Sequence, residues 1–360
     1  MNNKAFNRER AVSPKSKPSR MVWQDDGATI PYHSGLAKSS GLEDFLRLVR
    51  AGTAYVSRGQ GLVDTYAANV PRPFVDRNDK EIGVRVERGS TNYIIQSDSD
   101  TGITTSATIF DPGFYTLSKS GGGTVYVNVV SGAAEGLTGL SDEGYQENTF
   151  EVTQGPFQIQ TMFTNPGGYS MEVQLEKGLR RTSYIPTAGV AVSRPLEALV
   201  IANSNMPGDD DYVIAFDYTP TSLTDDNAYG GTSEIDSIFS IGDIANYFSI
   251  SYQSEMNSEG VVENHLAFGR INSPLTIFSV KNKFKMENGK VYRFVVENSS
   301  KTGFRVTINS ELVFEFCTTS PFTDKTITLG SIFGLVAGDC VVSNVKVFNG
   351  SVDPMALPTV

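Results

Sequence analysis

Short runs of alternating apolar and polar residues repeat along most of this chain, and they constrain its fold more than any other feature. Between residues 53 and 185 they include TAYVS, SATIF, GTVYVNVV and PFQIQTMF, divided by Gly, Asn, Pro and Asp. Alternation with period two is typical of strands with one buried face. No helix-length periodic segment interrupts these runs, so the pattern excludes a parallel α/β sheet and predicts an antiparallel sandwich.

Residues 186–350 continue in the same style after a loop at TAGVAVSRPLE. Strand candidates such as DYVIAFDYTP, KVYRFVVEN and CVVSNVKVFNG follow one another, and Asn309-Ser310 is a hairpin turn within RVTINSELVFEF. Nine such candidates predict a two-sheet jelly roll. The predicted class is therefore all-β, with two consecutive antiparallel β-sandwiches after an extended N-terminal arm and one short helix.

Composition excludes several classes of function. The net charge is −10, which disfavours a nucleic-acid binder, and no run of 18 apolar residues exists to insert into a membrane. The cysteines Cys317 and Cys340 form no CxxC motif, and His33 and His265 are the only histidines. Zinc fingers, an HExxH metalloprotease and a serine-histidine triad therefore lack the residues that they need, and we expect no cofactor.

The first 20 residues are basic, with six Lys or Arg against Glu9. Pro14 and Pro18 disfavour a helix there, and this composition is disordered when alone in water. We expect the arm to order on a neighbouring subunit or a larger assembly; the alternative is that it folds back on the acidic part of its own chain. The predicted anchoring residues are Lys4, Arg8, Arg10, Lys15, Lys17, Arg20 and Trp23.

One helix is predicted, at residues 41–52 (GLEDFLRLVRAG). Leu42, Phe45, Leu46 and Val49 recur at i, i+3, i+4 and i+7, which gives one apolar stripe. Acidic residues occupy its first turn and arginines its last, as the helix dipole favours. Next to the basic arm, this helix is interpreted as a docking element.

Two kinds of chemistry have candidate residues. Asp209, Asp210 and Asp211 could supply oxygen ligands to Ca²⁺, although three acids before a strand are more often a solvated turn. A glycoside hydrolase of sandwich fold needs paired carboxylates. The nearest segment, SEIDSIFS, has Glu234 and Asp236 but Phe239 where a second glutamate would stand. We therefore predict that the protein is not an enzyme.

Aromatic residues could instead bind a glycan. Tyr229, in the loop DNAYGG, and Tyr252 are the candidate contacts, because aromatic rings and neighbouring Asn or Asp side chains hold sugars. The competing interpretation is that such residues fill the sandwich core.

The stretch QLEKGLRRTSYIPTAGVAVSRPLE (174–197) resembles a junction that recurs in bacteriophage tail-fibre and other virion appendage proteins. Its matching residues are Gln174, Leu175, Glu176, Gly178, Thr182, Ser183, Tyr184, Ile185, Pro186, Thr187, Val192, Ser193 and Arg194. A second element of these proteins resembles residues 50–76, at Arg50, Ala51, Ala54, Tyr55, Gly61, Leu62, Ala67, Ala68, Asn69, Pro71, Arg72, Phe74 and Asp76. Residues 338–352 resemble the closing strand of a concanavalin A-like domain.

An anchoring arm and helix are predicted at 1–52 from the residues themselves, and residues 1–40 lie outside the resemblance. The resemblance implies the domains that follow: a carbohydrate-binding-module-like sandwich at 53–185, a stiff linker at 186–197 and a concanavalin A-like sandwich at 198–350, before a tail at 351–360. It further implies a non-enzymatic structural protein of the virion, assembled in the host cytoplasm, that contacts other virion proteins through the arm and forms a homotrimer. A host-glycan receptor-binding module is the alternative function, and a capsid decoration or head-fibre protein is the second.

Overall fold

The fold is entirely β. The computed structural model describes residues 20–24, 46–59, 62–75, 81–97, 102–141, 144–164, 171–201, 206, 211–221, 223, 235–256, 262–272, 275–300, 303–316, 322, 324–332 and 336–349. These ranges contain strands and turns and no helix, and therefore no helix that could cross a membrane. The predicted all-β class with antiparallel sandwiches is confirmed.

Strands follow one another along all of the described ranges. In chain order they are β1 (Arg20–Gln24), β2 (Leu46–Val49), β3 (Ala54–Gly59), β4 (Leu62–Tyr66), β5 (Arg72–Val75), β6 (Glu81–Val86), β7 (Ser90–Asn92), β8 (Gly102–Thr105), β9 (Gly113–Ser120), β10 (Thr124–Glu135), β11 (Gln146–Thr164), β12 (Glu172–Lys177), β13 (Val192–Arg194), β14 (Ala198–Ile201), β15 (Tyr212–Pro220), β16 (Ile235–Asp243), β17 (Asn246–Met256), β18 (Val262–Asn272), β19 (Leu275–Asn282), β20 (Tyr292–Ser299), β21 (Gly303–Ile308), β22 (Glu311–Phe316), β23 (Ile327–Leu329), β24 (Ser331–Ile332), β25 (Val336–Ala337) and β26 (Cys340–Asn349).

The larger sandwich consists of two antiparallel sheets. One has the order β22-β21-β20-β15-β26-β6-β5, with β1 also paired to β26, and the other has the order β19-β18-β17-β16-β23-β14-β2. Aromatic rings join them: Phe216 of the first sheet stacks on Phe239 of the second with 6.1 Å between centroids, and Phe248 stacks on Phe304 at 4.4 Å. The inward residues of both sheets therefore share one core.

The predicted helix at 41–52 is wrong where the structure describes it. Residues Leu46–Val49 form strand β2, which pairs with β14. Leu46 and Leu48 are buried in the core, whereas Arg47 and Val49 are exposed, which is the alternation of a strand. A short amphipathic stripe has little helical stability by itself, so pairing with a sheet edge decides the conformation. Leu42 and Phe45 lie outside the described residues.

The predicted domain boundary at residue 53 is also wrong. Strand β6 pairs with β26, β5 pairs with β6, and Val84 and Val86 lie in the core of the larger sandwich. Residues on both sides of the smaller sandwich therefore build the larger one, and the smaller one is an insertion between β6 and β14. Chain order alone does not reveal which edge of a sheet a strand joins.

The smaller sandwich has its own core, made of strands between β7 and β12. The 19-residue strand β11 pairs with β9 along residues 146–152 and with β8 along residues 160–163. On its other edge it pairs with the preceding strand, β10, along most of the length of β10. Phe150 in the first part of β11 and Phe157, Ile159 and Phe163 in the second part point into one cluster.

The hairpin predicted at Asn309-Ser310 is confirmed in the larger sandwich, where it joins β21 to β22 with positive φ at both residues.

Candidate functional site

The junction motif is built around two side chains of β12. Gln174 accepts a hydrogen bond from the Ile185 backbone N–H at 2.6 Å and donates to Glu176. Glu176 in turn accepts from the backbone N–H of Thr182 at 2.9 Å and from its hydroxyl at 2.5 Å. All of these groups are buried. The motif therefore folds the chain after β12 back onto that strand, and its polar residues satisfy one another.

Glycine is required at position 178 in this turn. Its φ is +122°, and a Cβ there would lie 2.9 Å from Nη2 of Arg88. A side chain would meet both backbone strain and a guanidinium group. The Arg88 guanidinium donates to the carbonyl of Arg180, which fixes the other side of the turn.

Tyr184 and Ile185 lie in the segment that leaves the smaller sandwich, just before Pro186. Both are buried, and the Tyr184 hydroxyl lies 2.7 Å from Oγ of Ser97. The Asn92 amide donates to the Ile185 carbonyl at 2.8 Å and its oxygen accepts from the Leu175 N–H at 3.0 Å. The segment between the sandwiches is thereby attached to the smaller one.

Five charged side chains meet where this segment enters the larger sandwich. They are Arg50, Arg72, Glu87, Arg194 and Glu197, each at most 1% exposed, and we call them the junction cluster. They come from the ends of β2, β6 and β13 and the starts of β5 and β14. Residues more than 100 positions apart in the chain are thus in direct contact.

Glu197 is the acceptor between two arginines. Its Oε1 accepts from Nη1 of Arg50 at 2.6 Å and from Nε of Arg72 at 3.1 Å, and its Oε2 accepts from Nη2 of Arg72 at 2.6 Å. Oε2 also accepts from the backbone N–H of Glu87 at 3.0 Å. These charge-assisted bonds satisfy both carboxylate oxygens, which a buried charge needs.

Glu87 connects the cluster to the smaller sandwich. Its Oε2 lies 2.6 Å from Nη2 of Arg72 and 2.9 Å from Nη1 of Arg194. Its Oε1 accepts from both the backbone N–H and the hydroxyl of Ser183, each at 2.9 Å. Ser183 belongs to the junction motif, so the motif and the cluster form one buried network.

The charges in the cluster hold one another ionised. Burial by itself raises the pKa of Glu87, but Arg194, Arg85 and Arg72 outweigh it and hold that pKa well below its usual value. Burial lowers the pKa of Arg72, and Glu87 and Glu197 outweigh it, so the pKa rises. The pKa of Arg50 is lowered because its burial exceeds the attraction of Glu197. Three guanidinium groups therefore share two carboxylates at neutral pH.

Arg50 also fixes the loop that precedes β5. Its Nη2 donates to the carbonyls of Ala67 and Val70 at 2.6 and 3.0 Å, and its backbone N–H donates to Oδ1 of Asn69 at 2.9 Å. Asn69 has a φ of 61°, which an Asx side chain tolerates better than most. The two stretches singled out at 50–76 and 174–197 therefore converge on one place in the fold.

Most of the candidate residues predicted for other roles lie outside the part of the chain that the structure describes. Lys4, Arg8, Arg10, Lys15 and Lys17 lie outside the described residues, and Arg20 and Trp23 belong to β1, which pairs with β26. Asp209, Asp210 and Tyr229 also lie outside them. Oδ1 of Asp211 accepts from the Ser300 backbone N–H at 2.6 Å. In the described ranges, no three His, Cys, Asp or Glu side chains are grouped as metal ligands would be.

The prediction that Tyr252 contacts a glycan is wrong. Tyr252 is 3% exposed and lies in the core, and its hydroxyl accepts a hydrogen bond from the Met286 N–H at 3.4 Å. It offers no ring to a glycan, because its strand position faces inward. Sequence reasoning placed Arg50, Arg72 and Arg194 in motifs but missed Glu87 and Glu197 as their partners. The one local signal is that each of these glutamates borders a strand, and it does not distinguish them from other glutamates such as Glu135 and Glu172.

An exposed apolar row crosses the smaller sandwich. Tyr126, Met162 and Ile103 are neighbours across β10, β11 and β8, and they are 51%, 40% and 64% exposed. Asn128, Gln160 and Thr105 form the next row on the same side. No charged residue occurs in residues 102–105, 124–130 or 158–164. We call this surface the three-strand face.

Comparison with known proteins gives little resemblance. No protein-family model matches the chain, and no curated protein matches it. Among solved structures, it is similar to domain 4 of AbnA, a GH43 extracellular arabinanase from Geobacillus stearothermophilus solved in complex with arabinotriose. The TM-score is 0.33 and the identity 12%, over 50% of this chain and 81% of that one. A similarity at this level identifies neither the activity nor the ligand of the chain.

Proposed function

We propose that this protein is a non-enzymatic structural component of a bacteriophage particle. In this proposal its N-terminal arm anchors it to other virion proteins, and its two sandwiches, the larger one concanavalin A-like, project in a fixed orientation. The supporting observation is that the two stretches resembling virion appendage proteins meet in one buried network. Arg50, Arg72 and Arg194 come from those stretches and bind Glu87 and Glu197.

A buried ionic junction suits an appendage because it opposes movement between the domains. Separating the sandwiches would break the bonds from Ser183 to Glu87 and leave the carboxylate short of partners. The short pairing of β13 with β7 adds a second connection between the linker and the smaller sandwich. A projecting fibre or head decoration needs this stiffness, whereas an enzyme with a mobile domain does not.

The proposal includes a homotrimer and an arm that acts through residues 1–19. Because β1 pairs with β26, a deletion should stop before Arg20 and leave that strand in place. We expect the chain lacking residues 1–19 to keep its unfolding midpoint but to be absent from purified particles, as measured by quantitative mass spectrometry. Incorporation of the truncated chain at the normal copy number would contradict the anchoring role. The trimer is tested separately, by measuring the molar mass of the full chain with light scattering.

A glycan-binding module is the second candidate, and the three-strand face favours it. Tyr126 presents half of its surface, and uncharged Asn, Gln and Thr side chains lie next to it. Neutral sugars are recognised by an aromatic ring together with directional hydrogen bonds, and they need no charged partner.

The variant Tyr126→Ala tests this candidate in the full chain. We expect at least about a fivefold loss of affinity for any glycan that the wild type retains on an array, since one aromatic contact of this kind contributes roughly 1 kcal/mol or more. Tyr145→Ala is the matched control, because Tyr145 is equally exposed but lies under Arg181 and is bonded to Glu147. Unchanged binding by the Tyr126 variant would exclude this face.

A further inference from the structure

Arg270 is a buried guanidinium group outside the junction cluster. It lies on β18 in line with Leu266 and Phe268, which point into the core, and its side chain is 0% exposed. Its Nε, Nη1 and Nη2 have no hydrogen-bond acceptor among the described residues. By contrast, Arg50 and Arg72 each bind a carboxylate and at least one carbonyl.

One face of the guanidinium group is covered by an aromatic ring. The Cζ atom of Arg270 lies 3.8 Å from the centroid of Phe322, and Phe322 packs against Phe304 of the opposite sheet at 5.5 Å. A ring that stacks on a guanidinium group stabilises the positive charge from above the guanidinium plane. The five N–H donors of arginine lie within that plane, so stacking satisfies none of them.

The electrostatic surroundings also lack a negative group among the described residues. Burial lowers the pKa of Arg270 to about 10, so the side chain stays protonated at neutral pH. Among the described residues, Tyr212 acts on this pKa in the opposite direction and raises it, but by less than burial lowers it. The ammonium group of Lys325 lies 6.0 Å from the centre of the Tyr212 ring. Burial and Tyr212 are what shift the pKa of Arg270, so the unsatisfied charge is that of Arg270 itself.

A buried cation with unused donors and no counter-charge is strongly unfavourable. We propose that Arg270 binds a small oxyanion, a carboxylate or a phosphate, at the end of the larger sandwich where β15 begins at Tyr212. The guanidinium plane would receive the anion edge-on, since two parallel N–H donors match two oxygens of such a group. Phe322 would hold the guanidinium plane in place. This site is independent of the proposed virion function.

Ligand-dependent thermal unfolding and calorimetric titration of the full chain test the proposal. The ligands are sodium acetate, sodium glucuronate and inorganic phosphate, each compared with sodium chloride at equal ionic strength, and glucose is the uncharged control. At a ligand concentration about 100 times Kd, we expect the midpoint to rise by about 3 °C or more. Stronger binding of glucuronate than of acetate would assign the anion to an acidic sugar, and a response to phosphate alone would assign a phosphate.

The variant Arg270→Met removes the charge and keeps the side chain long and apolar. We expect it to lose the anion response while its ligand-free midpoint stays equal or rises, because the buried charge is gone. Arg305→Met is the control, since the Arg305 guanidinium lies at the surface beside Glu315 and should not matter to the anion. If the methionine variant does not fold, Arg270→Lys keeps the charge without the fork and should bind at least about tenfold more weakly.

Two outcomes would overturn the proposal. One is a wild-type midpoint that responds to none of the three anions beyond chloride. The other is a response of the same size in the Arg270 variant, because the anion would then act elsewhere on the protein.

Discussion

Replacing Glu197 by glutamine is expected to lower the free energy of unfolding by about 3–5 kcal/mol, the usual effect of removing one partner from a buried ion pair. The carboxylate accepts from both Arg50 and Arg72 at 2.6 Å, and neither guanidinium is exposed to water. Glutamine has nearly the same size but turns an NH2 donor toward guanidinium donors. Urea unfolding of the full chain, followed by circular dichroism, measures the change.

The matched control for this prediction is Glu315→Gln. Glu315 lies 3.2 Å from Arg305 with its side chain 47% exposed, so its loss should change stability by less than about 1 kcal/mol. A further variant, Arg50→Met with Glu197→Met, should lose less than the two single changes together, since the pair interacts directly. A Glu197 variant as stable as the Glu315 variant would show that the cluster does not stabilise the junction.

An isolated fragment of residues 197–360 is expected not to fold. It lacks β2, β5 and β6, which carry the core residues Leu46, Leu48, Val84 and Val86. At roughly 1.5–3 kcal/mol for each buried side chain, the loss is comparable with the total stability of a domain. It also leaves β14 and β26 with unpaired edges at positions where the intact chain has partners. Circular dichroism and the dispersion of amide signals in an NMR spectrum measure the outcome.

The control for the fragment removes the smaller sandwich instead. The backbone N–H of Glu197 donates to the carbonyl of Glu87 at 3.0 Å, and Ser90 pairs with Arg194, so the ends of the insertion lie side by side. We expect a chain in which residue 90 is joined to residue 192 by a short Gly-Ser linker to fold, because every strand of the larger sandwich is retained. Folding of the 197–360 fragment, or failure of the excised chain, would contradict the discontinuous domain.

The sequence by itself determined the class of the fold. Alternation of apolar and polar residues with period two is a local property, so runs such as YVIAFDYTP in β15 predict strands without knowledge of their neighbours. The same holds for the turn at Asn309-Ser310, where both residues accept a positive φ. The motif at 174–197 was also visible in the sequence, including Gly178, Tyr184 and Ile185, although the turn at Gly178 was found only in the structure.

Only the tertiary structure decided how these pieces are combined. Leu46 and Val49 fit the predicted helical stripe, but pairing with the edge of β14 selected the strand, in which Leu46 and Leu48 face the core. Strand β6 joined β26, and β5 paired with β6, rather than entering the sandwich that follows them, because a free sheet edge can accept any strand that reaches it. Glu87 and Glu197 lie 110 residues apart, and a charge can be buried at such a position only once the fold has brought its partners there.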